Sequence, residues 1–99
     1  MSAPLPADAQ RPRALTLMQA VAAARESVAF MTELPIDQVV AVAPAQEGWS
    51  VTIDLIEAAA RSGDNDLLAT YRVALDAAGG VSGIERVRRY RREDAEAAP

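Results

Sequence analysis

The stretch "WSVTIDLIE", residues 49–57, alternates apolar and polar side chains with a period of two. Trp49, Val51, Ile53 and Leu55 fall on one side of an extended chain, and Ser50, Thr52 and Asp54 on the other. A strand with one covered and one solvated face belongs in an antiparallel sheet. "LLATYRVALD", residues 67–76, repeats the pattern, with Ala69, Tyr71, Val73 and Leu75 inward and Thr70, Arg72 and Asp76 outward. Two such strands expose an apolar face that another layer must cover.

The flanking sequence supplies that layer. Residues 15–34, "LTLMQAVAAARESVAFMTEL", have helical spacing, with Leu17, Val21, Ala24, Val28 and Met31 in one stripe widened by Met18. Thr16 suits the N-cap, and Pro35 stops the helix through its effect on Leu34. Phe30 points away from the stripe, near Ala23, Glu26 and Glu33, and is a candidate anchor for a partner. "DQVVAVAPA" predicts a first strand from Gln38 to Ala43, followed by a turn at Glu47-Gly48. "AAARSGDND", residues 58–66, is the longest loop, punctuated by Ser62-Gly63. "AAGG" closes a hairpin, and the last strand runs from Val81 through the arginine-rich segment. The expected fold is α+β, with one N-terminal amphipathic helix packed on a four-stranded antiparallel sheet. Residues 14–92 make this single domain. Residues 1–13, with Pro4, Pro6 and Pro12, read as a disordered arm, and residues 93–99, "EDAEAAP", as a disordered acidic tail.

Residue types that are missing exclude much chemistry. The chain has no cysteine, histidine or lysine, so all ten basic residues are arginine. Disulfides, thiol nucleophiles, imidazole bases, Schiff bases and most zinc sites are ruled out. Asp64 and Asp66 lack the glycine and distal glutamate of a calcium loop, and "AGG" sits in a hairpin instead of opening a helix. No catalytic, metal or cofactor site is expected. No apolar run reaches the ~20 residues that span a bilayer, and the N-terminus has no apolar signal core. The polar helix face carries Gln19, Glu26 and Glu33 with Arg25 at its flank, unlike the basic face of a membrane-surface helix. A cytoplasmic location is expected.

Net charge is −4, unevenly spread. Five arginines lie between Arg86 and Arg92, leaving five against fourteen acids elsewhere, a balance of −9. If that segment is a strand, its arginines alternate faces. Ile84 and Val87 then point opposite ways although both suit the helix side, so a bulge is expected near Glu85-Arg86. With it, Val87, Arg89 and Arg91 face the helix, while Arg86, Arg88, Tyr90 and Arg92 lie on the open face, joined by Arg72 from the neighbouring strand. Asp54, Asp76 and Glu57 are the acids placed to neutralise part of this charge. Arg72, Arg86, Arg88, Tyr90, Arg92 and Phe30 are therefore the candidate partner-binding residues. An arginine–tyrosine face could also stack and neutralise single-stranded RNA, but an RNA-binding sheet presents aromatics on two central strands, and here the sheet face offers only Tyr90. Edge-strand pairing with a second copy is a further expectation.

The ordered set "EGW" at 47–49, the alternating strand to Glu57, "DLLATYRVALDAAGGVSG" at 66–83 and "RVRRYRR" at 86–92 resembles the gas vesicle protein O family. It departs from the family where Arg72 replaces an acid and where Ile84 and Glu85 replace an aromatic. The resemblance implies a non-enzymatic accessory protein in gas vesicle formation. It further implies contacts with other gas vesicle proteins, the shell protein or accessory proteins such as an associated ATPase. A regulatory role through nucleic acid is the alternative it leaves open. The family has no catalytic residues to carry over.

Overall fold

The computed structural model describes residues 15–97, with side chains through Asp94. The expected arm, residues 1–13, lies outside the described residues. Helix α1 spans Leu17–Thr32. Thr16 caps it as expected. Its hydroxyl accepts from the Gln19 N–H at 3.2 Å, and the Gln19 side chain accepts from the Thr16 N–H at 2.9 Å. The helix ends two residues earlier than the proline alone dictates. Glu33 adopts the left-handed conformation at φ 58° and its N–H bonds back to the Ala29 carbonyl.

Four strands follow in a meander of order β1-β2-β3-β4: β1 Ile36–Ala45, β2 Gly48–Ala58, β3 Leu67–Asp76 and β4 Val81–Arg91. All pairs are antiparallel. Each connection reflects local chemistry. Gln46 and Glu47 turn β1 into β2, and Gly48 opens β2 because a Cβ there would stand 1.9 Å from the Leu75 carbonyl oxygen. Between β3 and β4, Asp76 Oδ1 accepts from the N–H groups of Ala78 and Gly80 while Gly79 takes φ 92°.

The core lies between α1 and one sheet face. Ala20, Ala24 and Val28 on the helix pack against Val51, Ile53, Leu55, Val73 and Leu75, with Trp49, Tyr71 and Ile84 partly buried around them. The alternation in β2 and β3 is thus borne out. The helix stripe is rotated from the expected one. The buried residues recur every four positions through small alanines, while Leu17 and Met31, expected inside, are 48% and 67% exposed. Trp49 Nε1 donates to the Leu15 carbonyl at 3.2 Å and ties the start of the helix to β2.

After β4 the chain continues into a short helix, α2, Arg92–Ala97, which takes in residues 93–97 of the expected acidic tail. The turn has local support. The Glu93 N–H donates to Asn65 Oδ1 at 3.1 Å, and the Arg92 N–H to the Asp66 carbonyl at 2.9 Å.

Ile53 is fully buried at the centre of this core. Ile53→Ala is expected to lower unfolding stability by about 2–5 kcal/mol with an unchanged urea m-value. A loss below ~1 kcal/mol in urea titration would contradict the core assignment.

The arginine run and a candidate interaction surface

The pairing of β4 with β3 decides where each arginine points. Leu68 opposes Tyr90, Ala69 opposes Arg89 and Thr70 opposes Arg88, but Tyr71 opposes Arg86. Val87 is the extra residue, so the expected bulge exists, one step further along than the sequence placed it. A second irregularity leaves Ser82 unpaired between Val81 and Gly83. Arg88 and Tyr90 therefore lie on the open face. Arg86 corrects the sequence assignment. It shares the helix side with Arg89, and both reach Glu57, at 3.8 and 2.8 Å.

On the open face the expected polar, solvated surface holds a buried carboxylate. Asp54 is 1% exposed. A buried charge needs partners, and neighbouring strands supply them. Thr70 Oγ1 donates to Asp54 Oδ1 at 2.5 Å, and the Tyr90 hydroxyl donates to Oδ2. Arg88 Nε donates to Thr70 Oγ1 at 3.4 Å, and its guanidinium sits 4.3 Å from the Tyr90 ring centroid. Burial, reinforced by the Asp54 carboxylate, pushes the Tyr90 hydroxyl above its usual range and keeps it a donor. Ile56 and Leu68 occupy the next row of the same face.

Arg92 is also redirected. Expected on the open face, it stands at the start of α2 and clamps three segments. Its guanidinium takes both oxygens of Asp37, at 2.9 and 3.3 Å, and Asp66 Oδ2 at 3.0 Å. Asp66 Oδ1 accepts from the Ala60 N–H at 2.7 Å. That hydrogen bond, and then Arg92, hold the Asp66 carboxyl below its ordinary range. The two aspartates keep Arg92 even more firmly protonated than usual. Arg72 pairs with Glu85 across the strands at 3.1 Å, both exposed, a contact worth little on its own. Of the acids expected to neutralise the run, Glu57 and Asp54 face it, while Asp76 serves the β3–β4 turn. Sequence reasoning missed Asp37, Asp66 and Glu85 in this role.

The five candidate residues of the sheet thus do not converge. Arg72, Arg88 and Tyr90 share the open face with Asp54 and Glu85 among them, while Arg86 and Arg92 act elsewhere. Tyr90 lies under Arg88, so no pair of open aromatic platforms forms. Phe30 points away from the core, as its place off the apolar stripe predicts. It is 82% exposed on α1. With Met31, Ser27, Val81 and Ile84 it lines an open groove of about 470 Å³ between the helix and the start of β4. Met31, Val81 and Ile84 were not singled out as surface residues, because their spacing reads as core. Among the described residues no group of three or more acids, the chain having neither histidine nor cysteine, is arranged to hold a metal. No described helix is long and apolar enough to cross a membrane.

The sequence that folds into this helix-on-meander architecture matches a known family. The pattern of the gas vesicle synthesis protein GvpO family matches residues 5–96, and the chain belongs to that family. It is 33% identical over 79 residues to gas vesicle protein O of Haloferax mediterranei, covering 79% of this chain and 56% of that protein. It is 32% identical to gas vesicle protein O1 of Halobacterium salinarum, covering 80% of this chain and 66% of the relative. It is 35% identical over 75 residues to gas vesicle protein O of a Streptomyces species, covering 76% and 59%. The chain therefore spans between 56% and 66% of the length of these relatives. No solved structure matches it. The family is not among the known enzyme families.

Because the carboxyl of Asp66 is lowered from 3.8, its clamp contributes stability that is complete above that value and lost as pH falls through the folded-state value. Asp66→Asn is expected to be less stable at pH 7 and to lose less further stability between about pH 4 and pH 2 than the parent. Parallel acid profiles in urea titrations would contradict the clamp.

Proposed function

We propose that the protein is a non-enzymatic accessory factor in gas vesicle formation that works by contacts with other gas vesicle proteins. The observation that carries this reading is the family match across residues 5–96. One feature of the described residues supports the contact reading. An apolar groove with an aromatic at its rim lies open, and exposed apolar patches commonly mark binding sites. Of the six residues put forward from the sequence, Phe30 carries the contact in this reading. Arg72, Arg86, Arg88, Tyr90 and Arg92 act first within the chain, holding β4 and its neighbours.

The test is genetic and biochemical. Deleting the gene in its native host is expected to abolish or sharply reduce gas vesicles, and restoring the wild-type copy to recover them. Affinity capture of the tagged protein is expected to retain at least one co-expressed gas vesicle protein, and Phe30→Asp to weaken that capture. Normal vesicle yield in the deletion strain would overturn the role. Vesicle loss without any capture would overturn the contact mechanism.

A further inference from the structure

The groove has a direction that follows from the sheet order. Strand β4 is an edge, paired among the described residues only with β3. Helix α1 lies over the sheet and turns its Ser27–Phe30–Met31 flank toward that edge, where no further strand of the described residues covers it. Val81 and Ile84 form the floor on the β4 side. The element that would complete this packing is a strand laid about 4.8 Å outside β4, with alternate side chains beneath Phe30 and Met31.

Charge specifies what that strand carries. Further along β4, on the helix side, Arg86 and Arg89 share the single carboxylate of Glu57. Arg91 opposes Leu67, and among the described residues no carboxylate lies within 4 Å of it. This end of the edge is under-neutralised by roughly two charges, counting one acid against three arginines. The bulges at Ser82 and Val87 divide the edge into two short regular runs, Gly83–Arg86 and Arg88–Arg91. Bulges and like charges are devices against pairing with another copy, because two β4 strands side by side would gather eight arginines. The same charges favour an acidic visitor. The opposite edge, β1, is less suited to a fifth strand, since Pro44 removes a main-chain donor from it.

We infer that the β4 edge accepts an extended segment of a partner protein as a fifth strand, apolar where it passes Val81, Ile84, Phe30 and Met31, and acidic where it passes Arg86, Arg89 and Arg91. This rests on the adaptor reading given above and names the kind of partner segment that surface takes. Main-chain hydrogen bonds supply the affinity, the groove selects the apolar half, and the arginines set the register.

Amide hydrogen exchange on purified complexes tests it. The gas vesicle proteins of the same host are added one at a time to the full chain. A partner that binds is expected to slow exchange at outward amides of Gly83–Arg91 at least tenfold, and binding is expected to fall as salt rises. Arg91→Glu and Phe30→Asp, each checked for folding by circular dichroism, are expected to weaken that complex at least tenfold. Binding that leaves β4 exchange unchanged, or protects β1 or the open face instead, overturns this inference and leaves the adaptor reading intact. So does a homodimer in light scattering whose interface protects β4, because a second copy would then be the occupant. Absence of any binding partner overturns the adaptor reading itself.

Discussion

A carboxylate buried in the second strand organises much of this sheet. Asp54 has almost no contact with solvent and takes its hydrogen bonds from Thr70 on β3 and Tyr90 on β4. Leaving a buried acceptor unsatisfied costs about 1–3 kcal/mol, and more when it is charged. The demand is met only when Tyr90 lies opposite Leu68 and Arg88 opposite Thr70, as it does here. One residue of slip would turn Tyr90 to the helix side and bring Arg89 to the open face. The Val87 bulge reconciles this register with the placement of Ile84 over the core.

From that register the distribution of charge follows. A run that looks like one basic patch is separated into cations with different employments. Arg88 covers Tyr90, Arg86 and Arg89 meet Glu57, and Arg92 clamps Asp37 and Asp66. The acids come from β1, β2 and the β2–β3 loop, so the run stitches the last strand to the rest of the sheet. Among the described residues, the Phe30–Met31 flank above the β4 edge is an apolar surface left open, with surplus positive charge at its far end.

The fold was legible because period-two burial holds through β2 and β3, where Val51, Ile53, Leu55 and Val73 are all sealed beneath the helix. The helix face was less so. Alanine carries little hydropathic contrast, and Ala20 and Ala24 let the helix approach closely, while larger Leu17 and Met31 extend past the cover of the sheet. Parity along β4 could show that a bulge was needed but not which residue it held, and that single step moved Arg86 to the other face. The burial of Asp54 was invisible because alternation marks a face as polar without showing that Thr70 and Tyr90 close on it. Arg92 meets Asp37 across 55 positions and Asp66 across 26, pairings only the folded topology creates.

The register of β4 on β3 is the claim that all of this requires. Cross-strand nuclear Overhauser contacts in the isotope-labelled chain measure it directly. The account predicts backbone contacts pairing Thr70 with Arg88 and Tyr71 with Arg86, with Val87 skipped. Contacts pairing Tyr71 with Val87 and Arg72 with Arg86 in an unbroken ladder would contradict it.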